Sequence, residues 1–203
     1  ERAAEQLWRA VEERDPIAVQ ALIRQGVAPD ARTRKRLETP LLRAAELGDA
    51  EIVKLLLAGG ASVEVADRGG NTALHYAIRG GSPDVVRALL RGGASLDSRA
   101  KFGFTPLSVA VTQNRPDLLR LLVEVGAEVD SRMLNEATPL MVAAYDGHLE
   151  LVQILVSAGA DTAACNRDGK SALALARDQG HEGVVAFLSR VAPEADQAPN
   201  AGS

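Results

Sequence analysis

The chain is poor in large aromatic rings. Only 3% of its 203 residues are aromatic, namely one Trp, two Tyr and three Phe, against 35 Ala. A single thick core usually contains more aromatic side chains than this, because each ring buries a large area. Since 46% of the residues are nevertheless hydrophobic, the apolar content is small and aliphatic. This favours thin layers that stack closely.

Three further absences exclude whole classes of protein. The single cysteine, Cys165, excludes an internal disulfide framework and a multi-cysteine zinc site. With 23 basic and 27 acidic residues the net charge is −4, so the basic excess expected of a general binder of nucleic acids or anionic membranes is missing. No apolar run approaches the roughly 20 residues that a membrane helix needs, and we expect no membrane insertion.

The chain begins at Glu1, without Met and without a signal-like apolar stretch. We therefore expect a processed or trimmed chain. The compartment stays open: the cytoplasm is favoured, and the periplasm or a secreted location follows if a signal peptide has been removed. The excess of 19 Arg over 4 Lys hints at a GC-rich coding sequence and a bacterial source.

What the sequence does contain is a repeat of 33 residues. Five segments align without gaps, each with leucine at its third position and alanine at its sixth; they begin at Thr39, Thr72, Thr105, Thr138 and Ser171. A sixth, weaker unit precedes them at an offset of 34 residues. A period of this length is typical of a solenoid built from stacked supersecondary units.

Each repeat is predicted to contain two short helices. Thr39-Pro40 and its equivalents combine an N-cap hydroxyl with proline at the first helical position. The first helix ends at a column that is Gly48, Asn114 or another glycine, as expected for a left-handed backbone. The second helix ends at glycine C-caps and is followed by about ten polar, glycine-rich residues that predict a hairpin. Helices this short are stable only when stacked.

These residues resemble the ankyrin repeat family, whose 33-residue unit contains the signature T-P-L-H-x-A. The resemblance covers about residues 5–190 and implies an all-α repeat solenoid of stacked helix-turn-helix units with β-hairpin loops. Only His75 retains the histidine of the signature. Glu136 stands where the family has a hairpin glycine, so we expect that hairpin to be distorted. Acidic residues replace the usual asparagine after the second helix, at Glu64, Asp97 and Asp130.

The predicted organisation is one solenoid over residues 1–191, followed by a disordered tail or remnant at 192–203. Its terminal capping repeats span 1–33 and 166–191. Four internal repeats lie between them, at 34–66, 67–99, 100–132 and 133–165.

No group of residues predicts catalysis, a cofactor or a metal site. His148 and His181 lie 33 residues apart at the same place in their repeats, and His75 is expected to hydrogen-bond backbone, so all three are interpreted as structural. Walker, dinucleotide and nucleophile-elbow motifs are missing. Cys165 is interpreted as a tolerated thiol in preference to a redox sensor, and Trp8 as a core or cap residue. An enzyme with an unrecognised site is the least favoured alternative.

The resemblance implies that a partner protein binds the hairpin tips and the exposed side of the first helices, which together form the concave face. Phe102, Phe104 and Tyr145 stand out as aromatic anchors. For Phe104 the alternative is that it packs along the next hairpin. The residues predicted to contact a partner are Arg36, Glu38, Glu46, Arg68, Asn71, Arg79, Lys101, Phe102, Phe104, Thr112, Gln113, Leu134, Tyr145 and Asp146.

Charge is predicted to be segregated on this face, unless it is an ordinary solvated surface. Acidic residues lie on the inner helices, and basic residues follow the hairpin edge: Arg32, Arg34, Lys35, Arg36, Arg68, Arg99, Lys101, Arg132, Arg167 and Lys170. We predict a non-enzymatic protein-interaction module, either a scaffold or adaptor or an inhibitor or immunity-type protein. The alternative is binding of nucleic acid or another polyanion through the basic edge, and self-association stays open.

Overall fold

The computed structural model describes residues 2–32 and 38–191. Within them the chain forms a 3-10 turn at Lys101–Gly103 and twelve α-helices: α1 Arg2–Glu12, α2 Pro16–Arg24, α3 Pro40–Leu47, α4 Ala50–Ala58, α5 Ala73–Gly80, α6 Pro83–Arg91, α7 Pro106–Thr112, α8 Pro116–Glu124, α9 Pro139–Tyr145, α10 Leu149–Ser157, α11 Ala172–Gln179 and α12 Glu182–Val191. The predicted contact residue Arg36 and the predicted tail at 192–203 lie outside the described residues.

The helix boundaries follow the capping signals. Thr39 accepts a hydrogen bond from the amide of Leu42 (3.4 Å) at the start of α3, where proline is the first helical residue. α3 ends at Gly48, whose φ of 73° is left-handed. Asn114 has a φ of 49°, so the predicted left-handed conformation in this column is confirmed.

The chain divides into two compact units, Glu1–Lys101 and Phe102–Ser203. In the first unit α1, α3 and α5 pack side by side, and α2, α4 and α6 form a second row. In the second unit α7, α9 and α11 form one row and α8, α10 and α12 the other. Each unit is therefore a stack of three helix pairs, and the predicted all-α repeat fold class is confirmed.

The core of each unit consists of the small and aliphatic columns seen in the sequence. Leu74 and Ala77 are fully buried in the first unit, and Leu140 and Ala143 in the second. The alanines let neighbouring helices approach closely, since a larger side chain has no space between them. Trp8 is 2% exposed, which confirms its predicted core position.

The loops between repeats form turns that pair less than true β-hairpins do. In the described part of the chain, the one ladder pairing is an isolated antiparallel bridge between Cys165 and Ser171. Backbone hydrogen bonds join successive loop tips, with one amide donating to a carbonyl of the preceding tip: Lys101 to Gly69 (2.7 Å), Leu134 to Phe102 (2.8 Å) and Arg167 to Asn135 (3.1 Å).

The distortion expected at Glu136 is not found. Glu136 adopts a left-handed φ of 56°, as Gly70 (78°) and Gly169 (72°) do at the equivalent positions. Its amide donates to the carbonyl of Met133 at 2.9 Å, and the amide of Gly169 donates to Asn166 at 3.0 Å. The turn is therefore retained, because its hydrogen bonds outweigh the strain that a side chain adds to a left-handed backbone.

Candidate binding surface

Most of the predicted contact residues are exposed. Glu38, Asn71 and Phe104 are half-buried. The prediction that Phe104 is exposed is therefore wrong, because this residue lies at the base of the loop beside the buried N-cap Thr105. The exposed members are Glu46, Arg68, Arg79, Lys101, Phe102, Thr112, Gln113, Leu134, Tyr145 and Asp146.

In the first unit, several predicted contact residues form an intramolecular polar network. The hydroxyl of the buried Tyr76 donates to Oδ2 of Asp67 (2.9 Å) and lies 3.4 Å from Oε1 of Glu38. Asn71 donates to the same Asp67 carboxylate (2.9 Å) and accepts from Nη2 of Arg79 (2.7 Å). The guanidinium of Arg79 lies 5.3 Å from the centre of the Tyr76 ring, within the range of a cation–π contact.

The electrostatics of this network keep it intact at neutral pH. Burial, followed by the hydrogen bond to Asp67, raises the pKa of Tyr76 far above its ordinary value. Burial opposes ionisation of Asp67, but hydrogen bonds from Asn71, Tyr76 and Gly69 together hold the pKa of Asp67 below its ordinary value. The side chains of Asn71 and Arg79 are thus engaged within the chain and close this surface of the first unit.

The second unit has an open groove of about 280 Å³ on the corresponding side. Three elements contribute to it: the first helices α9 and α11, and the loops that precede them. Its lining residues are Asn135, Ala137, Met141, Val142, Tyr145, Asn166, Asp168 and Leu175. The floor is apolar, whereas the rim carries amide and carboxylate groups.

The groove opens because Ala137 is the smallest residue at its position in the repeat. The side chains of Asn71 and Lys170 reach the first helix of their own repeats, where they bind Arg79 (2.7 Å) and Asp178 (2.5 Å). Alanine has no such reach, so no side chain covers the helix behind it. The other repeats carry larger residues at this position, namely Glu38, Asn71, Phe104 and Lys170.

Tyr145 lies at the end of α9, on the wall of this groove, and is 49% exposed. The end of α9 is held by His181, whose Nε2 donates to the carbonyl of Tyr145 at 2.8 Å. The imidazole ring packs on Gly147, where a β-carbon would come within 2.5 Å of Nδ1. His181 is therefore structural, as predicted, and it positions the backbone that carries Tyr145.

The other histidine predicted to be structural at a helix start is also confirmed. The amide of Thr72 donates to Nδ1 of the fully buried His75 at 3.2 Å. This bond satisfies an amide at the N-terminus of α5 and leaves the ring proton on Nε2. His75 is therefore unavailable for chemistry.

Two neighbouring loop tips of the second unit present apolar side chains to solvent. Phe102 is 62% exposed and Leu134 is 64% exposed, and the amide of Leu134 donates to the carbonyl of Phe102. Phe102 has a left-handed φ of 63°, which is uncommon for a bulky residue. The loop thus directs an aromatic ring outward at the expense of local backbone strain.

The predicted basic edge carries less available charge than the sequence indicates. Nη1 of Arg132 donates to the carbonyls of Glu136 (2.8 Å) and Cys165 (2.9 Å). A hydrogen bond to Asp178 raises the pKa of Lys170 above its ordinary value. Both side chains therefore act mainly inside the chain.

Two searches of the described residues found nothing. No three His, Cys, Asp or Glu side chains among them are grouped so that they could hold a metal ion. None of the described helices has the length and apolar character needed to cross a bilayer.

The sequence pointed to Tyr145 but not to the groove beside it. Met141, Val142, Asn166 and Leu175 were not predicted as site residues, because their types are ordinary for a helix face or a turn. The usable signal was the repeat position of Ala137, which holds a longer side chain in the other repeats.

Comparison with known proteins places the chain in context. Residues 7–100 and 107–198 match the family profile described as ankyrin repeats, three copies. The chain is also 40% identical over 72 residues to the glycerophosphocholine phosphodiesterase gde1 of Schizosaccharomyces pombe. That match covers 36% of this chain but only 6% of the yeast protein, so it carries no inference about phosphodiesterase activity.

Proposed function

Because the chain belongs to the ankyrin repeat family, we propose that it is a non-enzymatic module that binds a partner protein in the groove of its second unit. Ankyrin repeats generally mediate protein–protein interaction, and the family is typically non-enzymatic. The observation that carries the proposal is Tyr145, half-exposed beside an apolar floor. Aromatic residues beside a pocket that excludes water are typical of interface hot spots.

The loop tips extend the proposed binding surface. Phe102 and Leu134 add two exposed apolar side chains on adjacent turns, and the strained backbone of Phe102 supports a role beyond folding. Such a surface serves equally for a scaffold or adaptor and for an inhibitor that covers the active site of an enzyme. An activity assay on the captured partner separates these two roles.

The test compares partner capture by the wild-type chain and two groove variants. Ala137→Phe fills the groove with a residue that another repeat tolerates at this position, at Phe104, and Tyr145→Ala removes the ring. For the partner recovered by affinity capture, we expect each variant to weaken binding about 30-fold or more, as for a hot spot. Titration calorimetry measures the affinity, and thermal unfolding checks that both variants fold.

Val125→Ala is the matched control, because Val125 is an exposed apolar residue (46% exposed) at the end of α8 that does not line the groove. Its partner affinity should equal that of the wild type. Equal affinities for the wild type and both folded groove variants would contradict the proposal, as would the recovery of no protein partner.

A further inference from the structure

The groove of the second unit has an acidic rim. Among the described residues that line it, Asp168 alone carries a charge. The exposed Asp146 directly follows Tyr145 at the end of α9. Apolar side chains such as Val142 and Leu175 form the floor between the two helices. A ligand for this groove must therefore combine an apolar surface with a group that complements negative charge.

No cation of the same loop neutralises this rim. Lys170 forms an ion pair with Asp178 at 2.5 Å, and the charge of Asp168 also acts on it. One ammonium group thus faces two carboxylates. In the described part of the chain, Asp168 itself forms no ion pair. The rim therefore retains negative charge that an incoming group can meet.

The first unit shows which group satisfies this chemistry. There a tyrosine ring, a carboxylate and a carboxamide surround the guanidinium of Arg79, 5.3 Å from the centre of the Tyr76 ring and 2.7 Å from Oδ1 of Asn71. The groove of the second unit offers the same three kinds of group in Tyr145, Asp168 and Asn135. The chain supplies its own arginine in one unit and none in the other.

We propose, building on the function proposed above, that this groove binds an arginine side chain of the partner, next to an apolar residue in an extended segment. A planar guanidinium stacks on an aromatic face and binds a carboxylate with two parallel hydrogen bonds, which a lysine ammonium does not do. The volume of about 280 Å³ lies at the lower end of ligand pockets, which suits side chains better than a whole small molecule.

The probe is a displayed library of random ten-residue peptides selected on the immobilised full chain. We expect arginine next to an apolar residue to be enriched about fivefold or more over the unselected library, as charge complementarity requires. For the best synthetic peptide, replacing its arginine with lysine and introducing Asp168→Asn in the protein should each lower the affinity about tenfold. Ala137→Phe should abolish binding.

Asp117→Asn is the charge-matched control, because Asp117 is exposed near the start of α8, outside the groove. It should leave the peptide affinity unchanged. Selection of acidic or uncharged peptides, absence of any enrichment, or equal effects of Asp168→Asn and Asp117→Asn would overturn the inference.

The same variants separate this inference from the proposed function. A partner whose binding depends on Tyr145 and Ala137 but not on Asp168 supports the proposed function and refutes the arginine site. Partner binding that none of these substitutions affects refutes both.

Discussion

A left-handed backbone is unfavourable for any residue with a side chain, and Glu136 adopts one in the second unit. Its φ is 56°, where Gly103 and Gly169 have 77° and 72° at the same repeat position. We expect Glu136→Gly to raise the free energy of unfolding by about 0.5–1 kcal/mol. This is the left-handed penalty of about 1–2 kcal/mol, reduced by the greater unfolded-state entropy of glycine. Urea denaturation measures the difference.

Gln113→Gly is the matched control for this prediction. Gln113 is exposed and has a φ of −90° at the end of α7, so glycine relieves no strain there and should lower stability. The ion pair between Glu136 and Arg132 is exposed and 4.0 Å long, and its loss should matter little. A loss of stability in Glu136→Gly would show that the glutamate side chain contributes more than the strain removes.

Single residues also show the limit of prediction from sequence. The left-handed conformation of Asn114 was predictable, because asparagine tolerates it and stands in a glycine column. The outcome at Glu136 was not, since the residue type does not reveal that the hydrogen bonds of the turn outweigh the strain. The groove escaped prediction for another reason: Ala137 and Leu175 come from different repeats, and only packing brings them together.

Between elements, acidic residues that follow the second helices link each repeat to the next. Oδ2 of Asp30 accepts from the amide of Ser62 (3.0 Å), and Oε1 of Glu64 accepts from the amide of Ser95 (2.8 Å). In the second unit Oδ1 of Asp130 accepts from the amide of Asp161 at 3.1 Å. The acidic residues found where the family usually has asparagine therefore perform a stacking role through their oxygens.

Substitution of Asp130 tests this role. Asp130→Ala leaves the amide of Asp161 without its acceptor, so we expect the free energy of unfolding to fall by about 1 kcal/mol. Asp130→Asn retains an oxygen that accepts the same bond and should lose less than half as much. Thermal or urea unfolding of both variants gives the comparison. Equal losses would indicate that the charge of Asp130, and not the hydrogen bond, stabilises the contact.

At the scale of the whole molecule, the 33-residue period determined most of the fold in advance. Leucine and alanine recur at fixed positions, so each repeat had to form the same helix pair with the same buried face. The period does not mark the division between Lys101 and Phe102, because the repeat register runs through it unchanged. That division depends on the number of contacts on either side, which composition alone does not give.

A stack stabilised by nearest neighbours should unravel from its end, and this links stability to binding in the second unit. Leu188 of α12 is 1% exposed and Leu155 of α10 is fully buried, so each alanine substitution should lower the free energy of unfolding by about 2–5 kcal/mol. We expect Leu188→Ala to speed amide hydrogen exchange in α11 and α12 only, whereas Leu155→Ala should speed it from α8 to α12.

The binding consequence follows from the position of Leu175, which lies on α11 and lines the groove. When the last repeat frays, the groove loses one wall, so partner affinity should fall in proportion to the fraction of molecules with an ordered α11. Hydrogen exchange with mass spectrometry and titration calorimetry on Leu188→Ala measure the two quantities independently. Uniformly faster exchange from α7 to α12 would mean that the second unit unfolds as one block, and affinity would then follow global stability alone.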